Sequence, residues 1–241
     1  MHPSSPDDPG DPILTTREAA KLLGIAISTA QLWIENGLLP AWKTPGGHRR
    51  VRWSDVSALL RERAGIPNRA PAPEAAEFLP AAARPLSDNE QARLEALRAS
   101  KLVGSGAEAV FDRLTWLATQ VTDCPIAFLS LVTAKRQWFK SQVGIVLPEV
   151  AREDAFCNHT IAQDGPMVVP DARLDARFRD NALVTGAPHL RFYAGFPLAG
   201  RDGHRLGALC VMDREPRRLR ERELRALGEL AAIAAEEIRR R

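Results

Sequence analysis

The chain has 241 residues, is 45% hydrophobic and 26% charged, and carries a net charge of +3 with an isoelectric point near 9.0. That balance is ordinary for a globular protein and excludes a surface that is cationic throughout, so any nucleic-acid surface must be local. The cysteines Cys124, Cys157 and Cys210 form neither a disulfide framework nor a CxxC metal pair and imply a reducing, cytoplasmic compartment, and no apolar run reaches the ~20 residues that span a bilayer.

Residues 1–12, "MHPSSPDDPGDP", are acidic and Pro-rich, unlike a signal peptide, and read as a disordered tail. Residues 13–64 read as a small helical module. Thr15 or Thr16 caps a helix running to Leu23, Glu18 sits near N3 as in a capping box, and Gly24 stops it. A second helix runs through Asn36 and is closed by Gly37. Leu38 to Arg52 reads as a strand pair around Pro45-Gly46-Gly47, a turn whose tip exposes Lys43, Arg49 and Arg50 with no acidic residue nearby. Trp53–Arg63 is a third helix, begun by Ser54 or Asp55, with Val56, Leu59 and Leu60 facing inward. Trp33, and either Trp42 or Trp53, are expected in the core.

Residues 65–87 are rich in Pro and Ala without periodicity and read as a linker. Residues 88–241 have the size of a full domain. Val110, Leu114, Leu117 and Val121 recur at helical spacing. Ile126–Val132 and Gln137–Ser141 read as a hairpin, Phe156–Gln163 as a short helix, and Met167–Val169 as a strand. Phe192–Leu198 and Leu206–Asp213 form a second hairpin. The final helix carries Leu224, Leu227, Ala231, Ala234 and Ile238 as a seam able to pack on a partner helix. Helices flanking a mainly antiparallel sheet make this an α+β protein.

The order Thr15-Thr16-Arg17-Glu18-Ala19-Ala20, Leu23-Gly24, Trp33-Ile34, Gly37-Leu38-Leu39-Pro40 and Thr44-Pro45-Gly46-Gly47-His48-Arg49-Arg50 resembles the MerR and excisionase-like winged helix-turn-helix family. The resemblance implies a recognition helix in the major groove of duplex DNA and a wing on flanking phosphates. It nominates Thr16, Arg17, Ile27, Ser28, Gln31, Leu32, Lys43, His48, Arg49, Arg50 and Arg52 as DNA-binding. The chain departs from the pattern at Ala26, where the family usually has a capping Ser, and Ile27 to Asn36 holds no Lys or Arg. Ser28 and Gln31 are then the polar readers, and Ile27 and Leu32 candidate thymine-methyl contacts.

From Arg93 onward the chain resembles a GAF domain. The resemblance rests on Phe156-Cys157-Asn158-His159-Thr160-Ile161, Val168-Val169-Pro170-Asp171-Ala172, Arg191-Phe192-Tyr193-Ala194-Gly195 and Leu206-Gly207-Ala208-Leu209-Cys210-Val211-Met212-Asp213. It implies a sensor or dimerisation domain attached to an output module, with Phe156, Cys157, His159, Asp171, Arg191 and Tyr193 as ligand-pocket candidates. Cys157 and His159 are too few for a metal site, and a buried structural pair is the plainer reading. Asp171, Asp175, Arg177 and Arg191 either line a polar pocket or pair with one another to lock the loop. Phe192 and Tyr193 face opposite sides of their strand. The segment 181–190 lacks the cysteine by which phytochrome-like GAF domains attach a bilin and the second cysteine of GAF-fold methionine sulfoxide reductases.

The fold expected is therefore α+β, a small mostly helical winged helix-turn-helix domain plus a GAF domain with an antiparallel sheet flanked by helices. The expected function is a DNA-binding transcriptional regulator, not an enzyme, with no metal and no catalytic residues. It would bind double-stranded DNA, homodimerise through the GAF flanking helices and sense a small molecule whose identity, like any cofactor, is unknown. The alternative is a GAF-based thiol redox enzyme or sensor using Cys157.

Overall fold

Thr15 opens the first helix because its hydroxyl accepts the Glu18 N–H at 3.2 Å while the Glu18 carboxylate accepts the Thr15 N–H at 2.7 Å. The computed structural model describes residues 11–63, 77–78, 88–147 and 149–241. The N-terminal unit runs β1 (Ile13–Thr15), α1 (Thr16–Leu23), α2 (Ile27–Glu35), β2 (Trp42–Lys43), β3 (Arg49–Arg52) and α3 (Trp53–Arg63). Its strands form an antiparallel sheet in the order β1-β3-β2, with β1 a strand that its three residues were too few to announce. Leu14, Ala19, Leu39, Val51, Trp53 and Val56 are all buried and make its core. Of the tryptophans, Trp53 is buried, Trp33 half-buried, and Trp42 remains 38% exposed.

Residues 1–10 and most of 65–87 lie outside the described residues, so neither the tail nor the linker is described there as a whole. At the tail's end, Asp11 accepts the Ser54 N–H at 3.0 Å and the Ser54 hydroxyl at 2.5 Å. The cap of α3 thus comes from across the unit, although the sequence pointed to Ser54 or Asp55. Within the expected linker Glu77 is held firmly. Its side chain accepts from Thr133 Oγ1 at 2.6 Å and Arg136 Nε at 2.5 Å, and its carbonyl from the Ala134 N–H at 2.9 Å.

The C-terminal unit runs α4 (Asp88–Ala99), α5 (Ala109–Thr122), β4 (Ile126–Val132), β5 (Arg136–Val143), β6 (Val150–Ala151), α6 (Phe156–Thr160), β7 (Met167–Val169), α7 (Ala182–Thr185), β8 (Phe192–Ala199), β9 (Arg205–Asp213) and α8 (Glu221–Arg239). The strands form one antiparallel sheet in the order β6-β5-β4-β9-β8-β7. Every residue of β4 is buried, which is why its sequence reads as an apolar run broken only by Ser130.

A period of two divides those side chains between two cores. Ala127, Leu129, Leu131, Phe192, Ala194, Leu209 and Val211 face α5 and α8. Ile126, Phe128, Tyr193, Ala208, Cys210 and Met212 face α6 and the 170–190 loop. The α8 seam meets the first of these cores. Leu227, Ala231, Ala234 and Ile238 are buried inside the chain, so the seam expected to pack on a partner helix packs on this chain's own sheet and α5. Lys140 fastens the neighbouring corner. Its buried ammonium donates to Ser105 Oγ at 2.5 Å and Gly106 O at 2.6 Å and pairs with Glu108 at 2.7 Å, so all three protons have acceptors.

Candidate nucleic-acid interface and sensor core

In the N-terminal unit, α1 and α2 are joined at Gly24, and the exposed face of α2 holds Ile27, Ser28, Gln31, Leu32 and Glu35. Ile27 is 42% and Leu32 53% exposed, an uncommon cost for two aliphatic side chains on one helix face. Ala26 occupies the N-cap and offers no side-chain acceptor. Beside α2 stands the β2–β3 hairpin. Its tip is closed by the Thr44 N–H to the His48 carbonyl at 2.9 Å and the Gly47 N–H to the Thr44 carbonyl at 2.8 Å.

Strand alternation sorts the basic residues of the hairpin. Trp42 pairs with Arg50 and Lys43 with Arg49, so Arg50, Arg52 and Trp42 share one face, and the Arg52 guanidinium lies 5.4 Å from the Trp42 ring. Arg49 shares the other face with buried Val51 and meets Glu35 of α2 at 3.0 Å. This corrects the reading of a tip with no acid nearby. Glu35 is remote in sequence, and folding brings it to Arg49. Lys43 and His48 are exposed, Arg50 is half-buried and donates to the Arg49 carbonyl, Arg17 is exposed and Thr16 half-buried at the start of α1. The structure thus brings the nominated residues to α2, the hairpin and the first turn of α1.

The candidate sensor residues divide differently. Phe156 stacks on Phe178 with ring centroids 4.0 Å apart and lies 5.2 Å from Tyr193. His159 meets the Phe178 ring edge-on at 5.0 Å. Burial, with Arg177 nearby, holds the His159 imidazole below its ordinary value. Inside the same core Cys157 Sγ lies 3.8 Å from Cys210 Sγ, and Tyr193 donates its hydroxyl to Cys157 Sγ at 3.5 Å. Thr160 Oγ1 is 2.5 Å from that phenol oxygen. A Cβ at Gly195 would stand 2.2 Å from the Tyr193 hydroxyl, so the glycine leaves room for it.

Burial opposes ionisation of both thiols. At Cys157 hydrogen bonds from Cys210, Ser130 and Tyr193 outweigh it and lower the thiol from its ordinary value, while Cys210 is pushed well above. Sequence reasoning singled out Cys157 as a pocket candidate and gave Cys210 no such role. The signal for the pair was the strand period, which puts Cys210 on the face of Tyr193.

Asp171 and Arg191 do not join this group. Asp171 pairs with Arg173 at 2.7 Å, Asp175 with Arg177 at 2.6 Å, and Arg191 Nη1 donates to the Val184 carbonyl at 2.8 Å. Of the four residues nominated for this loop, Asp175 and Arg177 pair with one another, Asp171 pairs with Arg173, which the sequence reading omitted, and Arg191 bonds a backbone carbonyl. Among the described residues no three His, Cys, Asp or Glu side chains gather to hold a metal, and no helix is long and apolar enough to cross a membrane.

The two units meet where α1 faces the end of α5. A cleft of about 100 Å³ is lined by Glu18, Lys21 and Leu22 on one side and Trp116, Gln120 and Asp123 on the other. Lys21 and Asp123 bridge it at 3.4 Å, both solvated, a contact worth under about 1 kcal/mol. It leaves the exposed face of α2 open.

Residues 106–238 match the family model described as the GAF domain, and residues 13–64 that described as a helix-turn-helix domain. A cyclic di-GMP phosphodiesterase of Pseudomonas aeruginosa is 41% identical over 150 residues, which cover 62% of this chain and 26% of that protein. The chain therefore spans about a quarter of that relative's length. Among solved structures, the GAF domain of an Acinetobacter phosphoenolpyruvate-protein phosphotransferase aligns over 64% of this chain and 94% of its own, with a TM-score of 0.45 and 15% identity. A free methionine-R-sulfoxide reductase of Neisseria meningitidis aligns over 67% of this chain and 98% of its own, with a TM-score of 0.45 and 19% identity.

Proposed function

Because the chain belongs to the GAF-domain family and carries a helix-turn-helix domain ahead of its GAF domain, we propose that it is a transcriptional regulator, with DNA binding at one end and sensing at the other. The observation that carries this reading is the exposed face of α2 standing beside a hairpin that holds Lys43, His48 and Arg50. The hairpin supplies sequence-independent attraction to phosphates by counterion release, and α2 supplies base contacts. Ser28 and Gln31 are its hydrogen-bonding readers. Ile27 and Leu32 fit thymine methyl groups better than they fit water. One such module binds weakly, so a homodimer is part of the proposal. With the α8 seam occupied inside the chain, dimerisation uses the outer side of α8 around Ile233, which is 48% exposed.

The reading is tested by fluorescence anisotropy on duplex DNA across a salt series. Binding that weakens steeply with salt and is lost in the Lys43→Ala/Arg50→Ala double variant supports it. Duplex binding that is unchanged in that variant removes the hairpin from the interface, and failure to bind any duplex at low salt removes the DNA reading. We propose further that the chain itself is not a catalyst. The competing reading is a thiol redox enzyme that turns over through Cys157, and the Cys157–Cys210 approach at 3.8 Å supports it. Sustained turnover of a peroxide or sulfoxide substrate, lost in Cys157→Ser, would favour it.

A further inference from the structure

Thr160, Tyr193, Cys157 and Cys210 sit together in a largely apolar core, each fully buried. They form one chain of contacts, with steps of 2.5, 3.5 and 3.8 Å. A polar group in such a place destabilises the fold unless it is satisfied, and four apolar residues of similar size would pack there without that requirement. We propose that Cys157 and Cys210 form a reversible intramolecular disulfide, making the sensor core a redox site whose co-substrate is a small hydroperoxide. The proposal stands independently of DNA binding.

The chemistry balances with that oxidant. Cys157 sulfur attacks the peroxide oxygen, breaking the O–O bond, and becomes a sulfenic acid while an alcohol, or water from hydrogen peroxide, departs with a proton. Cys210 sulfur then attacks Cys157 sulfur, its proton leaves with the sulfenic hydroxyl, and a second water departs. Two thiols and one hydroperoxide give one disulfide, one alcohol and one water, and two equivalents of a small thiol reverse it. Tyr193 favours Cys157 as the first nucleophile by donating its hydroxyl to that sulfur. Thr160 donates in turn to the phenol oxygen, so the phenol keeps a partner when the sulfur is consumed.

Closing the bond requires the sulfurs to approach from 3.8 Å to about 2.05 Å. The strand β9 lies inside the sheet, so α6 is the element that moves. It has five residues, and its N-cap Ala155 offers no side-chain acceptor; its local opening, which also admits the oxidant, unseats Phe156 from Phe178 and Tyr193. Next to Cys157 on α6 is Asn158, whose Oδ1 accepts from Arg152 Nε at 2.9 Å, and Arg152 holds Glu90 of α4 at 2.5 Å. Displacing α6 therefore loads the ion pairs that hold the first helix of the sensor domain.

The test uses the folded, full-length protein exposed to hydrogen peroxide, quenched with catalase, then denatured and alkylated for mass spectrometry. The expected result is one alkyl group in place of three on a chain that is itself lighter by two hydrogens, a Cys157–Cys210 linked peptide, Cys124 still alkylated, and full reversal by dithiothreitol. Three alkylated cysteines after treatment, or a disulfide that includes Cys124, overturns the proposal. In Cys210→Ser, peroxide is expected to leave a dimedone-trappable sulfenic acid on Cys157. An unreacted Cys157 there overturns its assignment as the attacking sulfur, and the wild-type arm stands whether or not that variant folds.

Discussion

Glu35 sets how much of the hairpin's charge a polyanion meets. It is the one acid on the exposed face of α2, and its carboxylate accepts from Arg49 Nη2 at 3.0 Å. Removing that charge frees Arg49 for phosphate, so Glu35→Gln is expected to tighten duplex binding severalfold and to steepen the salt dependence by about one ion, as read by anisotropy over a salt series. If affinity and slope both stay as in the wild type, Arg49 does not reach the phosphates. A second residue, Glu90, governs acid stability. Burial alone would raise its pKa, but Arg93 and Arg152 hold it down at about 2 against an ordinary 4.5. A carboxylate depressed in the folded state stabilises above its unfolded value and loses that contribution as pH falls toward 2. Glu90→Gln is therefore expected to cost about 1–2 kcal/mol at neutral pH, discounted for its partial exposure, and the gap from wild type is expected to close between about pH 4.5 and 2 in urea titrations. A gap that does not change with pH would remove the ion pairs as its cause.

At the level of the element, the first two helices of the helix-turn-helix unit begin in opposite ways. α1 has a complete capping box, and α2 starts at Ala26 with no acceptor for its first N–H groups. Thr15→Ala is expected to lose about 1 kcal/mol and Ala26→Ser to gain about 0.5–1 kcal/mol, both read from the melting of the N-terminal unit. An Ala26→Ser variant with unchanged stability would mean that water already serves those donors. In the sheet, β9 runs close against β4 at Gly207, where a Cβ would stand 1.8 Å from the Ser130 carbonyl oxygen. Gly207→Ala must push the central strand pair apart, and a loss above about 3 kcal/mol, or failure to fold, is expected in chemical denaturation. α1, α3, β4 and the β8–β9 hairpin were legible because period, caps and turn residues agree along the chain, and β7 because its run Met167-Val168-Val169 is apolar, with Val168 and Val169 β-branched. β1, β6 and α7 were not, because segments of two to four residues carry no period and exist only through their neighbours.

Over the whole molecule, the sheet divides two cores, and the helices are assigned to them by packing rather than by their own patterns. The seam of α8 is an example. Its spacing suits a coiled-coil partner as well as a sheet, and the structure gives it to the sheet and α5. If dimerisation uses the outer side of α8, Ile233→Glu is expected to yield a monomer that keeps the wild-type circular dichroism, as sedimentation velocity would show. A dimer that survives the change places the interface elsewhere. Glu77 matters at this scale too, since its bonds to Thr133 and Arg136 fix a point inside a stretch that composition describes only as linker.

The sequence by itself carried the motifs that resemble the two families, in their order along the chain, and it determined α1 and α3, because turn chemistry, capping and hydrophobic period are local. It also supplied each sulfur and each charge. Only the tertiary structure decided which of them meet: Arg49 with Glu35, Asp11 with Ser54, Glu77 with Arg136, and Cys157 with Cys210. Those pairs lie 14, 43, 59 and 53 residues apart. Interactions at that range follow from strand order and helix packing, for which no stretch of sequence carries a local signal.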